Sequence, residues 1–367
     1  MTTKYKRIVV KIGSNVLTRA DGTIDATCMS HIVDQVAALR HKGVDVILVS
    51  SGAVASGRSE IKGIHKIDAV SSRQLYSAVG QVCLINKYYQ LFRDYGIACG
   101  QVLTTKESFA TRTHYLNQRN CMQVMLESGV VPIVNENDTI SVTELMFTDN
   151  DELSGLVSAM MDAEALIILS NIDGIYNGDP HSESSSVIRE IKVGEDISSY
   201  IQTVGSSFGR GGMRTKSRIA SRVAEEGTEV IIANGKTRDI LLSLVEGKDV
   251  ICTRFIPAEK VASGVKKWIA HSESFAKGAL YINKGAYDAL MGSEAVSLLP
   301  VGVERVEGYF EKDDIVRIMS DDGVQIGVGK ISCDSTQASS MKGTHGARPF
   351  IHYDYLYIDT EKERINR

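Results

Sequence analysis

From Arg7 to Ile232, short runs of β-branched and aliphatic residues alternate with much longer helical segments. That alternation limits the chain to one broad class of fold. The short runs are Arg7–Lys11, Val44–Val49, Ile97–Leu103, Val130–Val134, Ala165–Leu169 and Glu229–Ile232. Between them lie the helical segments Ala26–His41, Ala69–Tyr95, His114–Ser128 and Met213–Glu226. Strand and helix in turn predict an α/β domain built on a mostly parallel central sheet. The runs are apolar on both faces, as a sheet covered by helices on both sides requires. In such a sheet ligands bind beyond the carboxyl ends of the strands, so chemistry is expected directly after each run.

Beyond Ala276 the texture changes. Short runs at Ala279–Ile282, Asp314–Met319, Gly323–Gly329 and Tyr355–Ile358 sit between Gly- and Asp-bearing turns, and long helical patterns largely vanish. This predicts a small β-rich module. The expected division is a first domain over 1–252, a linker over 253–274 that carries Trp268, and a second domain over 275–367.

Composition excludes several function classes. The 367 residues include 32 Gly but only 5 Pro, which fits regular elements joined by tight loops and argues against disorder or a collagen-like chain. The six cysteines never lie closer than 16 residues apart, so neither a zinc ribbon nor a disulfide framework is expected. No pair of histidines has the i, i+4 spacing of a helical metal site, and no metal-binding residue set is expected. The longest apolar run, Ala165–Leu169, is far too short to span a bilayer. The N-terminal MTTKYKR leads into the first run without an apolar stretch, so no signal peptide is expected and the reading is cytoplasmic. A net charge of −4 argues against a chain-wide nucleic-acid footprint.

The post-strand loops carry the polar residues. The first run ends Lys11-Ile12-Gly13-Ser14-Asn15, which either holds phosphate through the lysine and loop N–H groups or is a charged strand end with a tight turn. The second ends Ser50-Ser51-Gly52-Ala53, where Ser51 either donates to a ligand carboxylate or caps a helix. The fourth ends Asn135-Glu136-Asn137-Asp138-Thr139, a polar cluster costly to place after a buried strand unless it binds something or caps a helix. Asn150 and Asp151 follow in a second polar cluster, Thr148–Ser154, that opens a helix. The fifth run ends Ser170-Asn171, and Gly209-Arg210-Gly211-Gly212-Met213-Arg214-Thr215-Lys216 opens the next helix. This last segment is either a phosphate-wrapping loop or simply a flexible one, and it matches neither the Walker A nor the GxGxxG spacing.

One chemistry unites these pieces. A carboxylate nucleophile is ionised at neutral pH and needs no general base, which suits a chain without a His or Cys constellation. Transfer of a phosphoryl group to it needs cations and N–H donors to hold anions together. Lys11 and Lys216, each beside a Gly-bearing loop, are candidates for that task.

The segments VVKIGSNVLT, VSSGAVASG, VPIVNEND, TDNDELS, LSNIDGIY and GRGGMRTK occur in this order along the chain. Together they closely resemble the glutamate 5-kinases of the amino-acid kinase family, whose fold is a three-layer sandwich around a mostly parallel sheet. KGALYINKGAYDAL, SLLPVGVERVEGYFEKDDIVRI and IGVGKIS resemble the C-terminal PUA domain found on many such enzymes. The resemblance implies ATP and Mg²⁺, with L-glutamate as substrate. It implies Lys11 and Lys216 as transition-state cations and Asp151 as the group that organises them. It implies Ser51, Asp138 and Asn150 at glutamate, and Lys11, Ser170, Asn171 and Arg210, Gly211, Gly212, Met213, Arg214, Thr215 and Lys216 at the nucleotide. It further implies feedback inhibition by proline and assembly as a homodimer or homotetramer. Ser170-Asn171 stands where Thr-Asp is common in the family.

Two rival readings remain. PUA modules elsewhere bind RNA, but Phe275–Arg367 holds 11 basic and 14 acidic residues, so no tight RNA binding is expected. A sibling kinase acting on acetylglutamate, aspartate or a nucleotide monophosphate fits the polar clusters and the C-terminal module less well.

Overall fold

The runs between Arg7 and Ile232 form one sheet. A computed structural model describes residues 3–19, 21–61, 67–110, 112–141, 147, 150–180, 182, 184–197, 213–259, 268–269, 272, 275–292 and 295–358. The chain divides into two compact units, Met1–Ser108 with Thr113–Val261 and Phe109–Arg112 with Ala262–Arg367.

The first unit begins with β1 (Arg7–Ile12), the short α1 (Ser14–Leu17), α2 (Ala26–His41) and β2 (Asp45–Val49). Next come α3 (Ala53–Glu60), α4 (Ala69–Arg93) and β3 (Cys99–Thr104). After α5 (Glu107–Ala110) and α6 (Arg112–Glu127), of which Phe109–Arg112 group with the second unit, follow β4 (Val131–Glu136), α7 (Asn150–Met160) and β5 (Ala165–Ser170). The unit closes with β6 (Glu190–Ile191), the helix Met213–Glu225, β7 (Glu229–Asn234), the helix Ile240–Val245 and β8 (Thr253–Phe255). The eight strands are ordered β3-β4-β2-β1-β5-β7-β8-β6. Every pairing is parallel except β7 with β8. β8 falls in the segment expected as linker and extends the sheet instead.

Strand periodicity sorts β1 by face. Ile8, Val10 and Ile12 join a core with Met29, Val33, Tyr88 and Phe92 from α2 and α4. Lys11, one residue out of phase, leaves that core and is still only 5% exposed. A cation so placed needs a partner on the opposite face. Helix starts follow the usual capping chemistry: the Asp25 side chain accepts the Cys28 N–H, and Asp68 accepts those of Val70 and Ser71.

The second unit contains β9 (Gly278–Ile282), β10 (Val303–Gly308), β11 (Ile315–Met319), β12 (Gln325–Lys330) and β13 (Leu356–Ile358). They form a separate five-stranded sheet in the order β10-β9-β11-β12-β13, antiparallel except for β9 with β11. Its own core holds Leu280, Ile282, Val316, Ile318, Ile326 and Phe350. Two short helices, Lys284–Met291 and Ser335–Met341, are capped by Asn283 and Asp334.

Candidate active site

In the sheet order β4-β2-β1-β5, four neighbouring parallel strands end on the same edge, so their exit loops adjoin. The order in which strands are added also switches here, with β2 on one side of β1 and β5 on the other, which is where an open α/β sheet forms its crevice. A cleft of about 420 Å³ lies at this edge, and its walls include Lys11, Ser51, Asp138, Asn150, Asp151, Ser170, Asn171 and Lys216.

Asp151, in the first turn of α7, is fully buried. Its Oδ1 lies 2.6 Å from Lys11 Nζ and its Oδ2 3.0 Å from Lys216 Nζ. Burial pushes the Asp151 carboxyl up, but the charges of Lys11 and then Lys216 outweigh it and hold the group below the ordinary carboxylate range. Two ammonium groups on one carboxylate leave this end of the cleft with one net positive charge.

Asn150, one residue earlier, ties the loops together. Its Nδ2 lies 2.7 Å from the Ser50 carbonyl, 3.1 Å from Ser51 Oγ and 3.0 Å from Asn135 Oδ1. The turn before α3 is possible because Gly52 adopts φ 98°, a left-handed conformation that side chains disfavour.

Another part of the cleft lining is acidic. Asp138 is 6% exposed and Glu136 is 4% exposed. Arg73 Nε donates to Asp138 Oδ1 at 2.8 Å, Arg73 Nη2 contacts the same oxygen, and Nη2 also lies 3.3 Å from Glu136 Oε2. Ser77 Oγ donates to Asp138 Oδ2 at 3.2 Å. Glu136 Oε1 accepts from Ser141 Oγ at 2.7 Å and from the Phe147 N–H at 2.8 Å. Burial raises the Glu136 carboxyl above its ordinary value, and those two hydrogen bonds oppose the rise.

Sequence reasoning passed over Arg73, Asn135 and Glu136, all of which line the cleft. Asn135 and Glu136 sit at the end of β4, inside the polar run Asn135–Thr139. Arg73 gave no local signal, because it lies 65 residues before its partner Asp138. Of the residues assigned to the nucleotide, Ser170, Asn171 and Lys216 line this cleft. Met213, Arg214 and Thr215 form the first turn of the helix that carries Lys216 and do not line it. Arg210, Gly211 and Gly212 lie outside the described residues. Among the described residues, no group of three or more His, Cys, Asp or Glu is placed to hold a metal ion.

Residues 6–234 match the amino acid kinase family, and residues 278–350 match the PUA domain. The chain belongs to the amino acid kinase family. Within it the chain groups with the glutamate 5-kinases. It is 65% identical to the glutamate 5-kinase of Bacteroides thetaiotaomicron over 98% of this chain and 100% of that protein. The glutamate 5-kinase of Chlorobaculum tepidum is 48% identical over 96% of this chain and 98% of its own length. That of Pelobacter propionicus is 37% identical, covering 99% and 97%. Membership of a kinase family implies use of ATP. Among the described residues, no helix is long and apolar enough to cross a membrane.

Proposed function

We propose that the protein transfers the γ-phosphoryl group of ATP to the side-chain carboxylate of L-glutamate, giving L-glutamyl 5-phosphate for the first step of proline biosynthesis in the cytoplasm. The observation that carries this reading is the polarity of the cleft. Lys11 and Lys216 share Asp151 in one part of its lining, and two buried acids share Arg73 in another. Glutamate fits that polarity in one direction, with its γ-carboxylate at the lysines and its α-ammonium at Asp138.

In the reaction a γ-carboxylate oxygen attacks the γ-phosphorus. The new C–O–P linkage forms as the bond to the β,γ-bridging oxygen breaks, and that oxygen keeps the electron pair and leaves with ADP. The nucleophile is already ionised, so no proton has to move. Lys11 and Lys216 face the non-bridging oxygens, where charge is spread during transfer. Asp151 holds both ammonium groups in place and touches neither reactant. Ser51 and Asn150 bind the amino acid, and Ser170, Asn171 and the Arg210–Lys216 segment bind the nucleotide. Mg²⁺ would enter with the nucleotide, neutralising phosphate charge, since such ions are commonly held by substrate phosphates with few protein ligands.

Proline shares the α-amino and α-carboxyl groups of glutamate, so the same subsite supports feedback inhibition by it. On α4, Leu75, Val82 and Tyr89 are exposed at seven-residue intervals, which supports burial of that face between copies in a dimer or tetramer. The acidic second domain supports a role other than tight RNA binding.

The deciding experiment is acyl-phosphate trapping with ATP and Mg²⁺, offering glutamate, N-acetylglutamate or aspartate with and without proline. Trapped product from glutamate alone is expected. Activity on N-acetylglutamate and none on glutamate would refute the assignment.

A further inference from the structure

We infer that Arg73 is a positioning residue for the amino-group end of the substrate, acting through Asp138. This inference rests on the reading of the cleft as a glutamate site.

Three observations lead to it. The first is the grip on one oxygen. Arg73 meets Asp138 Oδ1 with both Nε and Nη2, while Ser77 Oγ meets Oδ2 from 3.2 Å. A guanidinium fork fixes the plane of a carboxylate in a way a single ammonium does not. Asp138 is therefore oriented before any ligand arrives.

The second observation is charge. Asp138 and Glu136 are both buried on the same wall, and Arg73 contacts both. With the guanidinium in place the wall carries one net negative charge, which matches one substrate ammonium. Without it the wall carries two, with two buried acids repelling each other and the carboxylates of the incoming amino acid.

The third is the platform. Arg73, Gln74 and Ser77 lie within one turn of α4, and all three reach the loop after β4. Gln74 Nε2 donates to the Thr139 carbonyl at 2.8 Å, beside the Arg73 and Ser77 contacts. Helix α4 is in turn packed backbone to backbone on α3. A Cβ on Gly57 would stand 1.8 Å from the Tyr76 carbonyl oxygen, and one on Gly80 would stand 1.7 Å from that of Ala53. The helix that presents Arg73 is thus locked to the helix that follows Ser51.

The test uses the full-length enzyme with Arg73→Gln, Arg73→Lys, Asp138→Ala and the double variant Arg73→Gln/Asp138→Ala. The folded state of each is checked by thermal melting. Arg73→Gln should raise the glutamate KM by about tenfold or more, leave the ATP KM unchanged and alter kcat far less. Arg73→Lys restores the charge but not the fork, so its glutamate KM should fall between those of wild type and Arg73→Gln. In the Asp138→Ala background, Arg73→Gln should add little, because the two residues act as one unit. An active Arg73→Gln enzyme with a glutamate KM within about twofold of wild type would overturn the inference, as would an equal effect in the Asp138→Ala background. Should Arg73→Gln fail to fold, Arg73→Lys decides alone: a selective rise in glutamate KM supports the role, and wild-type kinetics refute it. A wild-type enzyme that phosphorylates no glutamate would refute the proposed reaction instead, which separates the two failures.

Discussion

Lys11 and Lys216, from the first strand and from a helix more than two hundred residues later, close on opposite oxygens of one buried carboxylate, at 2.6 Å and 3.0 Å from Asp151. The two ammonium groups would repel each other at this spacing without Asp151 between them. The arrangement holds two cations ready at one point in a cleft, a preorganised charge of the kind that stabilises a transferring phosphoryl group.

Lys216→Ala should therefore act on the chemical step. A group that faces the phosphoryl oxygens in the transition state contributes little to holding glutamate in the ground state. We expect kcat to fall by about 10²–10³-fold, with the glutamate KM changed far less. Steady-state kinetics with each substrate varied in turn makes the check, and a pure KM effect would contradict the role.

Asp151→Asn should damage both activity and stability. It leaves two ammonium groups facing a neutral amide inside the protein, and breaking a buried ion pair typically costs about 3–5 kcal/mol. The pH dependence gives a second readout. The Asp151 carboxyl is held below its ordinary value, so its contribution to stability is present above the unfolded-state pKa and is lost as pH falls through the folded one. Wild type should thus lose stability below about pH 4 through this group, and Asp151→Asn should lack that share of the acid slope. Thermal melts across the acid range measure it.

Much of the fold could be read from the sequence because the central strands are buried on both faces. The run at Ala165–Leu169 is an unbroken apolar stretch, and that at Arg7–Lys11 is apolar between its two charged ends; each appears within a residue of its place in the sheet. β10 left no trace, since four of its six residues are exposed and its sequence, VERVEG, has little apolar alternation. β6 and β8 are too short to carry a period. Lys11 and Lys216 were legible because they lie beside a strand end and Gly-bearing loops, and Asp151 because it stands in a polar cluster that opens a helix. Arg73 was not, because its role depends on a helix crossing that only tertiary packing creates.

Asn150→Asp tests the hub that joins the loops after β2 and β4 to α7. The side-chain amide faces three acceptors, the Ser50 carbonyl, Ser51 Oγ and Asn135 Oδ1. A carboxylate there replaces the donor with a fourth acceptor carrying charge. Leaving buried acceptors without their donor costs about 1–3 kcal/mol. The expected result is a glutamate KM raised by about tenfold or more, because Ser51 loses the contact that orients it. A variant with wild-type glutamate KM would show that the three contacts do not hold the subsite.

Gly80→Ala provides a test in which the sign alone is informative. In an ordinary helix interior this change adds about 1 kcal/mol of stability, because alanine loses less conformational freedom on folding. Gly80 lies within α4, but a Cβ there would meet the Ala53 carbonyl oxygen at 1.7 Å and the Gly57 nitrogen at 2.5 Å. Both obstacles are backbone, so no side-chain rotation relieves them, and α3 and α4 must separate. Overpacking of this kind costs about 1–3 kcal/mol or more. The strain is directed at the cleft, since α3 begins just after Ser51 and α4 carries Arg73 and Ser77. We expect a lower Tm together with a raised glutamate KM. Gln90, also within α4 and exposed, serves as the control: Gln90→Ala should change the glutamate KM little. If Gly80→Ala instead raised Tm and left KM untouched, the close crossing of α3 and α4 would not be what positions the acidic wall of the cleft.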